Sequence, residues 1–416
     1  MNTQFLRTCL RQTLPCLLAV MCQPVLADAD LPEWQSWLTT QVDAHPTMVA
    51  AKANMDAGLA DADQLERPVY NPNILGGYER EGDGSNWRIG IGQTFDINGR
   101  RRAQTDQAVM LRSAAGQSFE AMWQRHAADL LGAMVAREAA RARYELAATQ
   151  QQNLDRLIDL LRRRREAGDI GQIDVETTLL SLSQRLNDTA QSQAAFQLAE
   201  ARLKDLLPGW EPELSDVPQA FWPEQLPEAN NDWLNTHPEV LAAKARWENL
   251  QRQADVIDRA RRSAPTVALD GGKEGDENVV GIALSVPLMV RNNYEDKVKA
   301  ARQRAAAAKA EYRAVLRRLR FDIEAATVIA QEYGQQYGQW QSVLNEATAT
   351  GRIDSDLLNR QWQSGDLSTN EYLLILQQRI DGRMASIDLE QNYRLSLINW
   401  LNTTGRVRAQ LSSTPK

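Results

Sequence analysis

The sequence predicts a mainly α-helical chain with a small β part, built as one unit used twice. Three observations predict it. The segment His45-Pro46-Thr47-Met48-Val49-Ala50-Ala51-Lys52-Ala53 returns as His237-Pro238-Glu239-Val240-Leu241-Ala242-Ala243-Lys244-Ala245. Two tracts, between Pro72 and Pro208 and between Pro287 and Pro415, contain no proline, the residue that costs a helix interior a hydrogen bond and a ring clash. Two short stretches at matching places alternate apolar with small or polar residues, the period of a strand. Within each copy the order is a helix, a hairpin, a very long helix, a Gly-Asp turn and a heptad-patterned helix. A repeated unit of this kind describes architecture before chemistry. Two hairpins are too few to close a sheet, so several copies sharing one barrel and one helical bundle are expected.

Residues 1–27 read as a signal peptide. Arg7 and Arg11 give a basic start, Leu14 to Met21 a short apolar core, and Val25-Leu26-Ala27 a cleavage site. The apolar core is far shorter than the roughly 20 residues of a spanning helix. Cys9, Cys16 and Cys22 all lie inside this segment, so the mature chain has neither disulfides nor thiolate metal sites. Met21 before Cys22 and Pro15 before Cys16 argue against lipidation. Removing the signal takes Lys+Arg from 47 to 45 against 54 Asp+Glu, a formal charge of −9. An exported acidic chain is a poor nucleic-acid binder. Charges interrupt every later apolar run, so any membrane crossing must be made by strands.

The remaining boundaries follow the prolines. The first repeat spans 28–207, with strands over about 72–97 and a tip at 168–175. A Pro-rich linker covers 208–230, carrying Pro208, Pro212, Pro218, Pro223 and Pro227. The second repeat spans 231–405, with strands over about 265–288 and a tip at 365–372, and 406–416 is a tail. The tract from about Arg100 to Ala167 is rich in Ala, Leu, Gln, Glu and Arg, all good helix formers. Such a helix is on the order of 100 Å long, more than a globular core holds. The tract from about Asn293 to Ser364 is its counterpart. After the first tip, Val175, Leu182, Thr189, Phe196 and Leu203 fall seven apart, with Leu179, Leu186, Gln193, Glu200 and Leu207 as a partner series. In the second repeat Leu373, Ile380, Ile387 and Leu401 form a series broken by Arg394. Diluted heptads with abundant alanine suit helices side by side in a tube with a wet lumen, or a solvated antiparallel coiled coil.

In the hairpins, Trp87, Ile89, Ile91, Phe95 and Ile97 share one face, and Arg88, Gly90, Gly92, Thr94 and Asp96 the other. The matching strand holds Val280, Ile282, Leu284 and Val286 on its apolar face. Each is preceded by a shorter strand and a polar turn, over 81–86 and 273–278. Strands of roughly 9 to 11 residues, apolar outside and polar inside, are what an outer-membrane barrel requires. A half-buried sheet of a soluble domain would show the same alternation. Four strands per chain cannot close a barrel, whereas three chains would supply twelve.

In this order and twice over, these residues resemble the TolC-like outer-membrane efflux proteins. The carriers are the paired His-Pro helix starts, the strand-end segments Gly90 to Arg101 and Gly281 to Leu288, and the turns Gly168 to Val175 and Gly365 to Tyr372. The compact length and the Gly99-Arg100-Arg101 strand exit are most similar to the CzcC-type branch, which serves heavy-metal efflux. The resemblance implies long α-helical hairpins in a trimeric helical tube and four strands per chain in a twelve-stranded outer-membrane β-barrel. It implies that the linker and chain ends form a belt around the tube. It further implies a homotrimer in contact with outer-membrane lipid, joined to a periplasmic adaptor and an inner-membrane resistance-nodulation-division transporter. Gly168, Asp169, Ile170 and Asp174, with Gly365, Asp366, Leu367 and Glu371, would be the periplasmic tips that close the channel and dock the adaptor. Asp174 and Glu371 would form carboxylate rings. The family's usual Arg near the second tip is Leu367 here, and its second acid is Leu374. Gly168 and Gly365 read also as ordinary helix C-caps, and Asp169 and Asp366 as helix starters. The basic run Arg162-Arg163-Arg164-Arg165 reads as a solvated helix face or an adaptor contact.

Enzyme chemistry is not in sight. His45, His126 and His237 are not spaced as a metal pair, and no nucleophile elbow or phosphate-cradling loop occurs. No cofactor, metal site or catalytic residue is expected. A duct for protein or peptide secretion shares these features, and a periplasmic coiled-coil adaptor or scaffold is the third reading.

Overall fold

The computed structural model describes residues 31–82, 84–166, 171–223, 226, 232–349 and 355–413. The signal peptide expected over 1–27, the first-tip residues Gly168, Asp169 and Ile170, and part of the linker lie outside these. The helices are α1 Leu31–Ala44, α2 Pro46–Glu66, α3 Arg100–Glu166, α4 Gln172–Leu206, α5 Asp232–Thr236, α6 Pro238–Ala260, α7 Glu295–Ala349, α8 Ser355–Gln363, α9 Thr369–Thr403 and α10 Val407–Ser412. The strands are β1 Asn73–Glu81, β2 Gly84–Thr94, β3 Thr266–Glu274 and β4 Glu277–Ser285.

The duplication sets the helical layout. The 67-residue α3 is the central element, about 100 Å long at 1.5 Å per residue. Helix α2 lies along it, α4 runs back along it, and α6 lies between it and α7. Helix α9 touches both α3 and α7. The first heptad series is the one that faces α3. The Thr189 hydroxyl reaches the Ala147 carbonyl at 3.3 Å, Phe196 stacks on Tyr144 at 6.0 Å, and Leu203 is fully buried. In the partner series Leu179 and Leu186 stay exposed, with no described element of the same chain covering them.

One antiparallel sheet in the order β1-β2-β3-β4 joins the two halves. Both hairpin turns are tighter than the sequence suggests: Glu81 pairs with Gly84 and Glu274 with Glu277. Gly275 supplies the positive φ of 62° that the first central position of such a two-residue turn requires. The strands also end earlier than expected. Phe95 and Val286, placed in strands by their alternation, fall one residue beyond β2 and β4. After Phe95 the chain is diverted to start α3: Asp96 Oδ1 accepts from the Arg100 N–H at 3.1 Å and Oδ2 from that of Arg101 at 2.7 Å. The left-handed Gly99 (φ 67°) makes this bend, and at the matching place before α7 Tyr294 does so at φ 56°.

The largest core sits midway along α3, where separate pieces meet. Trp34, Leu38 and Val42 of α1, Trp123, Leu130 and Met134 of α3, Phe221 of the linker, Trp400 and Leu401 of α9, and Val407 of α10 are buried together. Trp34 donates to the Leu214 carbonyl at 3.1 Å, and Gln410 to that of Phe221 at 2.7 Å. Linker and chain ends therefore form one layer against α3. Arg137 anchors it from below, donating to Ser215 Oγ and Asp216 Oδ1, each at 2.9 Å, while Arg141 takes Asp216 Oδ2 at 2.9 Å. Helix α1 was legible in the spacing of Leu31, Trp34, Leu38 and Val42, which sequence reasoning passed over.

Candidate functional site: sheet face, helix joints and paired tips

The sheet register brings the expected apolar residues onto one surface. Across the strands lie the rows Ile74, Ile91, Leu269 and Ile282, then Gly76, Ile89, Gly271 and Val280, then Tyr78, Trp87, Lys273 and Asn278. Leu284 extends the face toward the helices, paired with Val267. Val280 and Ile282 are 83% and 79% exposed, so no described residue of the chain covers this face. The opposite face is small and polar. Asp270 there stands between Gly90 and Gly281, and Arg88 lies 3.6 Å from Asp270 and 3.2 Å from Glu274.

Between sheet and tips, two matching joints carry the histidines. His45 and His237 are the N-cap residues of α2 and α6. Each Nδ1 accepts from the backbone N–H two residues on, Thr47 at 3.2 Å and Glu239 at 3.1 Å. Nε2 then carries the hydrogen and donates to the end of another helix, the Asp205 carbonyl at 3.1 Å and the Asn402 carbonyl at 3.3 Å. Each His-Pro pair thus ties the start of a sheet-side helix to the end of a tip-side helix. The His126 ring lies 4.3 Å from that of His45. Burial holds His126 below the ordinary imidazole value, and His45 beside it adds to this. Burial also lowers His237, against the opposing pull of the Asn402 carbonyl and the Glu239 carboxylate. Glu239 in turn pairs with Arg318 and lies 3.8 Å from Arg125.

An imidazole depressed in the folded chain binds its proton more readily when unfolded. Its contribution is complete above about pH 6.5 and is lost as the pH falls through the lower folded-state value. The thermal midpoint of the native protein is therefore expected to fall on acidification below about pH 6.5. His237→Asn, which keeps a cap acceptor but cannot titrate, is expected to flatten that fall. An unchanged pH profile in the variant would count against the joint.

At the far end, α3, α8 and α9 close a second, smaller core of Leu154, Leu157, Ile158, Leu161, Leu358, Trp362 and Tyr372. Trp362 and Tyr372 stack at 5.0 Å, and Leu367 lies against this cluster. Gly365 ends α8 in the left-handed region at φ 85°. Its N–H donates to the Trp362 carbonyl at 3.2 Å and that of Asp366 to Gln361 at 2.9 Å, the paired bonds of a Schellman stop. Asp366 Oδ2 accepts from the Ser364 hydroxyl at 2.7 Å. Glu371 is the third residue of a capping box: its carboxylate accepts from the Ser368 N–H at 2.9 Å and hydroxyl at 2.8 Å, and the Glu371 N–H donates back to Ser368 Oγ at 3.2 Å. The Ser368 backbone N–H first, and its hydroxyl second, hold Glu371 below the usual carboxylate range. Its charge is thus committed to starting its own helix. Ser368→Ala is expected to fray the first turn of α9, read as faster amide exchange over Glu371 and Tyr372 with no change at α6.

Asp174 lies in the first turns of α4, while Gly168, Asp169 and Ile170 are outside the described residues. Of the basic run, Arg162 faces Asp159 at 3.8 Å and Arg163 donates to the Asp159 carbonyl at 3.2 Å, as a solvated helix face does. Among the described residues no group of three or more His, Cys, Asp or Glu could hold a metal ion. No described helix is long and apolar enough to cross a membrane.

No protein-family model matches the sequence. The nickel and cobalt resistance protein CnrC of Cupriavidus metallidurans is 29% identical over 323 residues, covering 73% of this chain and 74% of its own. The outer-membrane channel CmeC of Campylobacter jejuni superposes with a TM-score of 0.73 at 13% identity, over 92% of this chain and 86% of its own. CusC, whose structures concern folding and transmembrane channel formation, gives a TM-score of 0.72 at 14% identity, over 91% and 92% of the two chains. These structures share nearly the whole course of the chain, sheet and helices alike. With the duplicated His-Pro joints and the two-faced sheet, the chain is similar to the nickel and cobalt resistance protein CnrC and shares the fold of the channels CmeC and CusC.

Proposed function

We propose that this protein is the passive exit duct of a tripartite efflux pump, working as a homotrimer with a divalent heavy-metal cation as its cargo. The observation that carries this reading is the sheet. Its apolar face is bare, its polar face is lined with small residues, and β1 and β4 both end the sheet with unpaired edges. Three copies placed edge to edge would close twelve strands around a polar lumen. The exposed sides of α4 and α7, with Leu179, Leu186, Phe321 and Val328, would meet neighbouring copies in the tube below. The cargo is argued from CnrC, whose name ties it to nickel and cobalt.

The partners follow from the tips. A duct of this kind needs a periplasmic adaptor and an inner-membrane transporter of the resistance-nodulation-division type to drive it. The second tip, with Gly365, Asp366, Leu367 and Glu371, and the first, with Gly168, Asp169, Ile170 and Asp174, are the surfaces offered to the adaptor. The test is to delete the gene, fractionate the complemented strain and measure nickel and cobalt tolerance. Protein in the outer-membrane fraction as a trimer, with tolerance lost on deletion and restored by the gene, supports the reading. An outer-membrane trimer with unaltered metal tolerance would overturn the cargo, and a soluble periplasmic protein would overturn the duct.

A further inference from the structure

We infer that the rim of the sheet's apolar face, at the hairpin end, binds phosphorylated headgroups of the outer-leaflet glycolipid through Arg80 and Lys273. This rests on the outer-membrane reading above, which puts the hairpin turns, the end farthest from the helices, at the outer leaflet.

The two-residue period of the strands sorts the charges by sign. On the polar face stand Glu79, Asp270, Glu274 and Glu277, with Arg88 as a lone cation held between Asp270 and Glu274. On the apolar face of the described strands the charged residues are Arg80 and Lys273, both basic and both exposed. Among the described residues neither has an ion-pair partner. Their position is as telling as their sign. Tyr78 pairs with Trp87, and Trp87 pairs on its other side with Lys273. Arg80 sits one two-residue step farther toward the turn, opposite Ser85. Below this row the face carries Ile89, Ile91, Leu269, Val280, Ile282 and Leu284.

Aromatic rings at the edge of an apolar band mark the depth of the headgroups. A Lys or Arg at that edge can bury its stem against the rings and raise its charge into the headgroup layer. If the rim faced only water, an acid would serve as well. This chain is acidic, yet the acids of the described strands at this level, Glu79, Glu274 and Glu277, lie on the other face. The complementary occupant is an anion at headgroup depth, and phosphate fits the forked guanidinium and the ammonium.

The test uses the full-length protein extracted from the outer membrane, with diphosphorylated lipid A and its dephosphorylated form as probes in native mass spectrometry. The variant is Arg80→Gln with Lys273→Gln, and unchanged oligomer and single-channel conductance serve as its folding control. The native protein is expected to retain the diphosphorylated form in preference. The variant is expected to lose about fivefold in affinity for each charge removed, the share one basic side chain contributes near an anionic surface. Equal retention of both probes by the native protein, or unchanged preference in the variant, would overturn the inference. If conductance and outer-membrane fractionation hold in either case, the duct reading stands independently of this outcome.

Discussion

Gly272→Val is expected to deplete the outer-membrane oligomer proposed above. Gly272 lies opposite Arg88 where β2 of the first repeat pairs with β3 of the second. A Cβ at this position would stand 1.8 Å from the Trp87 carbonyl oxygen and 2.8 Å from the Arg88 Cα. Both are backbone atoms of the facing strand, so no rotamer change can relieve the clash. Overfilling a packed site costs typically about 1–3 kcal/mol where side chains can adjust, and the upper end or more is expected here. The loss falls on the contact that holds the two repeats in one sheet. Gly77→Ala is the control: it sits on the same polar face, but a Cβ there meets nothing within 4 Å. On a seminative gel of the outer-membrane fraction, Gly77→Ala should keep the oligomer band and Gly272→Val should lose most of it. Equal bands would show that the β2–β3 pairing is not as drawn.

Trp123→Ala is expected to destabilise the belt more than any other single truncation in α3. Trp123 is fully buried in the central core. Its indole N–H donates to Asp43 Oδ1 at 2.8 Å, and the Arg408 guanidinium lies 3.6 Å above its ring. One side chain on α3 thereby holds both α1 and α10. Removing a buried Trp costs roughly 3–5 kcal/mol, whereas Trp123→Phe keeps most of the apolar area and loses one hydrogen bond, about 1 kcal/mol. The thermal midpoint and trypsin cleavage at Arg406 and Arg408 should separate the two variants. If Ala and Phe behaved alike, the indole would be reporting its polar contact only and the core argument would fail.

Much of the fold was legible before any coordinates. The duplicated His-Pro starts marked α2 and α6, and the histidine and proline are indeed the cap and first-turn residues. The proline-free tract from Arg100 gave α3 almost to the residue. Strict alternation gave β2 and β4 and put Trp87, Ile89, Ile91, Val280, Ile282 and Leu284 on one face. The strand ends were less legible, because Phe95 and Val286 continue the pattern after the pairing has stopped. What stops it at Phe95 is Asp96 capping α3, an interaction across four and five residues that a two-residue period does not register. Glu371 reads in the sequence as a ring carboxylate, and the capping box with Ser368 gives it a local partner. The helix starter expected at Asp366 is Ser368 instead, because Asp366 still belongs to the stop of α8 through its N–H bond to Gln361.

Local pattern therefore determined element type, the twofold repeat and the two-faced character of the sheet, since each depends on neighbours a few residues apart. Only the tertiary structure decided which glycines matter. Gly77 and Gly272 are alike in sequence, and the approach of β3 to the Trp87 carbonyl alone makes the second one indispensable. It also decided the belt, where α1, the linker and α10 each carry too little apolar surface to form a core. Brought together on α3 from opposite ends of the chain, they bury Trp34, Phe221 and Leu411 in common. Burial is a property of that meeting, which no window of sequence contains.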